Sequence, residues 1–191
     1  GYRGVIIQIA GKMNQIKVEG EVITAQAGCS LAQIAGKALE AELAGFEFAA
    51  GIPGTLGGAV RMNAGAYGGE IKDVLESAVI LTKEGKMMEL PLERMEFGYR
   101  TSIIEKTGGI VLEGKIRLHK GNKTEIKAVM DDLRERRISK QPLEYPSAGS
   151  TFKRPEGYFA GKLIQDAGLK GFRVGGACIS EKHSGFVINI D

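Results

Sequence analysis

Residues 51–70 read GIPGTLGGAVRMNAGAYGGE and form the most informative segment of the chain. Seven of these twenty residues are glycine. Glycine lets main-chain N–H groups converge on an anion, because it adopts positive φ angles at little cost. The spacing fits neither the dinucleotide pattern G-x-G-x-x-G nor a Walker loop, which ends in Gly-Lys-Ser/Thr. We therefore expect a long loop that lies against a flat or phosphorylated ligand. The alternative is a glycine-rich connection between strands.

The bulk composition limits the classes of function. Of the 191 residues, 43% are hydrophobic and 26% are charged, as in ordinary globular proteins of one large or two small domains. The net charge is +3 and the basic residues are dispersed, which favours an anionic small molecule over nucleic acid as a partner. No apolar stretch approaches the roughly 18 residues of a membrane span, so we expect no membrane contact. Cys29 and Cys178 form no C-x-x-C pair and are expected to be buried thiols of a cytoplasmic protein.

The pattern of apolar residues predicts an α+β chain with a sheet and few helices. Strands are expected over residues 5–9, 16–19, 22–26, 78–82, 86–90, 110–118 and 186–191, with hairpin turns at 20–21 and 83–85. Because the first and last of these strands lie at the chain ends, we expect a fragment of a larger protein.

Capping signals predict the helices. Ser30 and Gln33 form a capping-box pattern that begins a helix, and Gly45 is expected to end it. A second helix is expected from Asn122 to the Gln-Pro pair at 141–142, with an apolar stripe of Ile126, Val129, Met130 and Leu133. A third is expected over residues 160–167, ending at Gly168, with Leu163, Ile164 and Ala167 facing the core. We place a domain boundary near Gly121.

Two segments carry candidate catalytic side chains. Arg100, within residues 97–102, offers a permanent cation and a planar fork for a carboxylate, a phosphate or a developing enolate; alone it is more often part of a surface ion pair. Residues 145–155 place hydroxyl groups between two prolines, without a G-x-S-x-G pattern or a nearby histidine. A serine there would act as a general acid in a dry pocket, or else its hydroxyl bonds to the loop backbone.

A third segment, residues 158–171, carries Lys162 near the start of the predicted third helix, where a cation is unfavourable for the helix dipole. This conflict hints at an anionic partner, although a flexible lysine also reaches solvent. His183 precedes the last strand and is more often structural in such a position. No His, Asp or Glu cluster has metal-ligand spacing, so no metal is expected.

Together these segments resemble the UDP-N-acetylenolpyruvoylglucosamine reductase (MurB) family, the flavoenzymes of peptidoglycan precursor synthesis. Residues 51–70 look like the flavin loop of that family, Tyr99 and Arg100 like its catalytic arginine motif, and residues 147–155 like its serine loop. Residues 160–164 and 180–189 are similar to two later segments of the family, in the same order.

The resemblance implies a fold and a domain order. Residues 1–120 would form the second half of a vanillyl-alcohol-oxidase-like (PCMH-type) FAD-binding domain, and residues 121–191 a partial α+β MurB C-terminal substrate-binding domain. It also implies truncation at both ends. The first flavin subdomain of the family is expected before Gly1, and its catalytic glutamate after Asp191.

The resemblance further implies an oxidoreductase, UDP-N-acetylmuramate dehydrogenase, which acts as a cytoplasmic monomer. Its cofactors would be FAD and NADPH, and it would reduce the enolpyruvyl group of a UDP-sugar, UDP-N-acetylglucosamine enolpyruvate, to UDP-N-acetylmuramate. Arg100 would stabilise the developing negative charge, and Ser150 would donate the proton. Tyr99, Lys140 and Lys162 would bind substrate. The implied cofactor-binding residues are Gly51, Ile52, Pro53, Gly54, Thr55, Gly57, Gly58, Asn63, Ala64 and Gly65.

Two alternatives remain open at this point. One is a different flavoprotein of the same superfold, such as an oxidase of small alcohols, which does not account for Arg100 and the Ser150 segment together. The other is a non-catalytic module that binds nucleotide sugars.

Overall fold

The computed structural model describes residues 2–191, which fold as two compact units divided after Leu133. The helices are α1 (Leu31–Glu40), α2 (Leu56–Arg61), α3 (Ile103–Thr107), α4 (Lys123–Lys140) and α5 (Ala160–Asp166). The strands are β1 (Ile16–Glu19), β2 (Val22–Gln26), β3 (Leu43–Ala44), β4 (Gly65–Ala66), β5 (Gly69–Glu70), β6 (Leu75–Leu81), β7 (Met87–Pro91), β8 (Ile110–Arg117), β9 (His119–Lys120), β10 (Ser147–Ser150), β11 (Arg173–Val174), β12 (Ala177–Ile179) and β13 (Phe186–Asn189). Short 3-10 helices cover Glu47–Ala49, Ile71–Asp73 and Leu92–Arg94.

The first unit is built on an antiparallel five-stranded sheet in the order β1-β2-β8-β6-β7. Helices α1 and α2 cover it, and their apolar faces join the sheet in one core. Fully or almost fully buried members of this core include Ile23, Leu31, Ile34, Leu56, Ile71, Met95, Ile104 and Ile116. Buried and half-buried residues alternate along β2, because successive side chains point to opposite faces of the sheet and only one face is covered by the helices.

Local sequence signals predicted several of these elements. Strands β1 and β2 pair directly across the turn at residues 20–21, and β6 and β7 form the second predicted hairpin. The capping box of α1 is present, because the Ser30 hydroxyl accepts from the Gln33 N–H and the Gln33 side chain accepts from the Ser30 N–H. The Asn122 side chain accepts from the N–H groups of Thr124 and Glu125 and so begins α4.

Other expectations about secondary structure were wrong. Residues 51–70 are not one continuous loop, since they contain α2 and the β4–β5 hairpin. Leu56, Ala59 and Val60 lie at helical spacing on one buried face of α2, and this burial outweighs the low helix propensity of two glycines. Residues 5–9 form no strand and are largely exposed. Helix α1 ends at Glu40, before Gly45.

The apolar stripes of two helices were also predicted incorrectly in part. On α4, Ile126 is buried and Met130 and Leu133 are half-buried, but Val129 is 47% exposed. On α5, Ile164 is half-buried whereas Leu163 and Ala167 are exposed. Cys29 is buried as expected, and burial raises the pKa of its thiol, while Cys178 is half-buried. Periodicity gave the helices but did not show which side of each helix has a neighbour.

The division between the units falls inside α4. Ile126 is buried and Met130 packs against the core of the first unit, so the first part of the helix belongs with that unit. The predicted boundary near Gly121 lies before the helix and remains a prediction about the domain organisation.

The second unit, residues 134–191, contains a four-stranded sheet in the order β10-β13-β12-β11. Phe186 and Ile188, on one face of β13, are its buried apolar residues. Helix α5 ends as predicted, with Gly168 in the left-handed region at φ 70°. The predicted last strand is confirmed as β13.

Candidate functional site

Main-chain hydrogen bonds attach the glycine-rich segment to residues 27–31, which lead from β2 into α1. The Leu31 N–H donates to the Gly54 carbonyl (3.1 Å), the Leu56 N–H to the Cys29 carbonyl (2.9 Å) and the Gly57 N–H to the Ala27 carbonyl (2.9 Å). Because these bonds join two stretches far apart in sequence, they hold the start of α2 in a fixed position on the sheet.

The glycines of this segment fall into two groups. A Cβ atom on Gly57 would lie 3.0 Å from the Ala27 Cβ, one on Gly65 would lie 2.7 Å from the Gly69 carbonyl, and one on Gly69 would lie 2.6 Å from the Phe48 ring. These glycines are required by packing. A Cβ atom on Gly54 or Gly58 would meet nothing within 4 Å. Both are exposed, so they leave a bare main-chain surface at the start of α2 that is open to a ligand.

Arg100 is bound to the end of the same segment. Its Nη1 donates to the Asn63 carbonyl (3.3 Å) and its Nη2 to the Gly65 carbonyl (2.9 Å). The guanidinium carbon also lies 5.2 Å from the centre of the half-exposed Tyr99 ring. Arg100 itself has φ 55°, in the left-handed region. The structure therefore brings Arg100, Tyr99, Asn63 and Gly65, four of the predicted site residues, into one cluster of the first unit.

Asn63 is fully buried and has φ 46°. Its Nδ2 donates to Glu70 Oε2 (3.0 Å) and to the Gly98 carbonyl (3.1 Å), and its Oδ1 accepts from the Lys72 N–H (3.0 Å). The hydrogen bond from Lys72 holds the pKa of Glu70 below its usual range, with a smaller contribution from Asn63, so this carboxyl is ionised at neutral pH. Asn63 thus connects the glycine-rich segment to the segment that carries Arg100.

Ser150 lies at the end of β10, where the pairing with β13 is irregular. Ser147 pairs with Ile188 and Ser150 with Phe186, and Gly149 between them has φ 82°, which marks a bulge. The Ser147 hydroxyl accepts from the Gly149 N–H at 3.5 Å. Ser150 is exposed, and its hydroxyl makes no hydrogen bond to any residue that the structure describes. The bulge therefore presents this hydroxyl to the surroundings instead of to its own backbone.

The two predicted lysines lie elsewhere in the second unit. Lys140 is the last residue of α4 and is exposed. Lys162 lies in the first turn of α5 and forms an ion pair with Asp166, four residues along the same helix. This pair satisfies the cation locally, so the unfavourable helix position by itself does not require an anionic partner.

Sequence reasoning missed two residues of the cluster. Ser102 is fully buried, donates through its hydroxyl to the Arg61 carbonyl (2.6 Å) and caps α3. The Ser-x-x-Glu pattern at residues 102–105 is a helix-start signal that would have identified it. Glu70 was part of the quoted segment, but no local pattern singles it out.

Within residues 2–191, no group of three or more His, Cys, Asp or Glu side chains is arranged to hold a metal ion. None of the helices in the described part of the chain is long and apolar enough to cross a membrane.

Comparison with known proteins shows which family the chain is similar to. Residues 1–91 match the family model described as FAD binding domain, and residues 141–191 match the C-terminal domain of UDP-N-acetylenolpyruvoylglucosamine reductase. The chain is 58% identical over 189 residues to the UDP-N-acetylenolpyruvoylglucosamine reductase of Clostridium perfringens (strain SM101 / Type A). It is 57% identical over 190 residues to that of Clostridioides difficile (strain 630). The chain belongs to the UDP-N-acetylenolpyruvoylglucosamine reductase (MurB) family.

A solved structure agrees with this assignment. The crystal structure of the MurB enzyme from Thermus caldophilus is 37% identical and superposes with a TM-score of 0.84, covering 95% of this chain and 66% of the other. The alignments to the two clostridial relatives each cover 99% of this chain, which spans 62% of their length. The predicted family is confirmed, as is the predicted fold of a FAD-binding domain followed by the MurB C-terminal domain.

Proposed function

We propose that this chain is part of an NADPH-dependent MurB reductase that converts UDP-N-acetylglucosamine enolpyruvate to UDP-N-acetylmuramate in peptidoglycan precursor synthesis. The observation that carries the proposal is the attachment of the Arg100 guanidinium to the Asn63 and Gly65 carbonyls. It holds a permanent cation beside the segment that lies in the FAD-binding domain. The names of the relatives support the reaction.

The glycine-rich segment is suited to hold FAD. The exposed residues Gly51, Pro53, Gly54 and Gly58 offer main-chain surface without bulky side chains, and Gly54 and Gly58 have open space where a Cβ would stand. A bound flavin supplies the hydride chemistry, and the protein orients and stabilises the reactants. Ile52, Thr55, Gly57, Ala64 and Gly65 complete the proposed cofactor segment. Buried Asn63 contributes to it by holding the backbone.

Two side chains would carry the proton and charge chemistry. Arg100 stabilises negative charge that builds up on the enolpyruvyl carboxylate, because a cation fixed in advance by two hydrogen bonds needs no reorganisation when the charge develops. Ser150 donates the proton to the resulting carbon, through a hydroxyl that its own backbone does not use. Tyr99, Lys140 and Lys162 bind the substrate, the lysines through its anionic groups. We further propose that the whole protein acts as a monomer in the cytoplasm.

An anaerobic absorbance experiment tests the proposed function. The protein would be prepared at the full length of its relatives, loaded with FAD, and treated first with NADPH and then with the enolpyruvyl UDP-sugar. We expect the flavin band to bleach with NADPH and to return only with the sugar nucleotide. A protein that stays colourless in the presence of FAD would contradict the proposal and favour a nucleotide-sugar-binding module.

The substitution Gly58→Ala tests whether FAD lies against the glycine-rich segment. The added methyl group should stabilise the apo protein by up to about 1 kcal/mol, since alanine is the better helix residue. The same methyl group would occupy the surface proposed for FAD. A steric cost of roughly 1–3 kcal/mol there corresponds to a loss of about 5- to 150-fold in FAD affinity. Thermal unfolding of the apo protein and FAD titration would measure the two effects.

Gly36→Ala is the matched control for this substitution. Gly36 lies in α1, and a Cβ atom there also meets nothing within 4 Å. We expect similar stabilisation with no change in FAD affinity. If Gly58→Ala binds FAD as tightly as Gly36→Ala, the cofactor does not lie against this surface.

A further inference from the structure

The turn that carries Arg100 is fixed at both ends. Gly98 and Thr101 exchange main-chain hydrogen bonds of 3.2 and 3.4 Å, which makes Tyr99 and Arg100 the two central residues of a tight turn. Arg100 is in the left-handed region, which non-glycine residues populate sparsely unless their surroundings hold them there. Some feature outside the turn must therefore maintain it.

Asn63 is placed to do so. Its Nδ2 donates to the Gly98 carbonyl at the beginning of the turn, and its own carbonyl accepts from Arg100 Nη1 at the tip of the Arg100 side chain. One residue thus holds both the backbone and the guanidinium. After the turn, Ser102 donates to the Arg61 carbonyl, two residues before Asn63 in the chain.

The chemistry of the position requires an amide. Two acceptors, the Gly98 carbonyl and the Glu70 carboxylate, face Nδ2, and one donor, the Lys72 N–H, faces Oδ1. This pattern fixes which way the amide points, and it uses both N–H groups of the side chain. An aspartate would place an anion against two acceptors, and an apolar residue would leave them unsatisfied in a buried site.

We propose that Asn63 is a positioning residue for Arg100. The Asn63 side chain sets the Gly98–Thr101 turn, and the Asn63 main-chain carbonyl sets the direction of the Arg100 guanidinium. The proposal deepens the proposed function and rests on it for the catalytic consequence. It assigns the buried Asn63 side chain a role inside the protein and not in direct contact with cofactor or substrate.

The structural part of the proposal is tested by Asn63→Asp in the full-length protein without substrate. We expect faster hydrogen exchange of the Gly98 and Thr101 amides and a changed Nε resonance of Arg100, assigned by its loss in Arg100→Lys. Asn122→Asp is the matched control, because an aspartate accepts the same N–H bonds at a helix start. Unchanged exchange and an unchanged resonance in Asn63→Asp would overturn the proposal.

The catalytic part is tested by separating the two half-reactions. In Asn63→Asp we expect the flavin to be reduced by NADPH at the normal rate and reoxidised by the enolpyruvyl substrate about 100-fold more slowly, as a small displacement of a catalytic group produces. In the Arg100→Lys background the same substitution should add little, since its effect passes through Arg100. Equal slowing of both half-reactions, or full additivity in the double variant, would overturn the catalytic part.

A general loss of stability is excluded by a second control. Ile80→Val lowers the stability of the same core at a β6 residue that pairs with Met88 and Val111, and should leave reoxidation unchanged. If the wild-type protein itself shows no reoxidation by the sugar nucleotide, the proposed function fails. The exchange and resonance measurements still decide whether Asn63 sets the turn.

Discussion

Replacing Ser150 with alanine is expected to leave reduction of the bound flavin by NADPH nearly intact and to slow its reoxidation by the enolpyruvyl substrate by roughly 10²- to 10⁴-fold. The physical reason is the loss of the proton donor. The Ser150 hydroxyl is exposed beside a β-bulge and bonds to no described part of the chain, so its removal leaves no internal group unsatisfied. Stopped-flow absorbance of the full-length protein would measure each half-reaction separately.

Ser147→Ala is the control for this prediction. It removes a hydroxyl from the same strand, three residues away, whose role is to accept from the Gly149 N–H. We expect both half-reactions of Ser147→Ala to stay within a few-fold of wild type. A loss of Ser150→Ala activity that is equal in both half-reactions would count against a role as general acid, since only one of them consumes a proton at the substrate carbon.

The bulge at Gly149 illustrates what the sequence predicts and what it does not. Two prolines and a run of small residues indicated a shaped segment with a hydroxyl near its bend. They did not indicate that residues 147–150 form a strand, because the partner strand β13 begins 36 residues after Ser150. Strand pairing depends on such distant partners, and burial on α5 likewise depends on neighbours that lie far along the chain.

The first unit shows the same division between local and distant signals. The capping box at Ser30 and the hairpin turn at residues 20–21 are patterns within a few residues, and both were predicted correctly. Arg100 donates to the main-chain carbonyl of Asn63, which lies 37 positions earlier in the chain. Every residue has such a carbonyl oxygen. No side-chain pattern encodes such a contact. The resemblance to a family identified Arg100, but the way in which it is held came from the structure.

Arg100→Lys is expected to disrupt this anchoring. Lysine keeps the charge but has one ammonium group in place of a planar fork. The Asn63 and Gly65 carbonyls lie 3.3 and 2.9 Å from two different nitrogens of Arg100. One ammonium group is not expected to donate to both carbonyls and at the same time to direct donors at the developing carboxylate charge. Reoxidation by the substrate should slow by about 10²- to 10³-fold, the usual cost of removing one preorganised donor.

Stopped-flow reoxidation at saturating substrate would measure this effect, with Arg117→Lys as the control. Arg117 lies in β8 and forms an exposed ion pair with Glu76 at 2.7 Å. Exposed ion pairs contribute little to protein stability, and lysine can replace arginine in them. We expect wild-type rates for that variant. Near-wild-type reoxidation in Arg100→Lys would remove Arg100 from the chemistry and leave it as a structural tie between the turn and the glycine-rich segment. A large loss in Arg100→Lys alone would show that the geometry of the fork, and not the charge, is what the reaction requires.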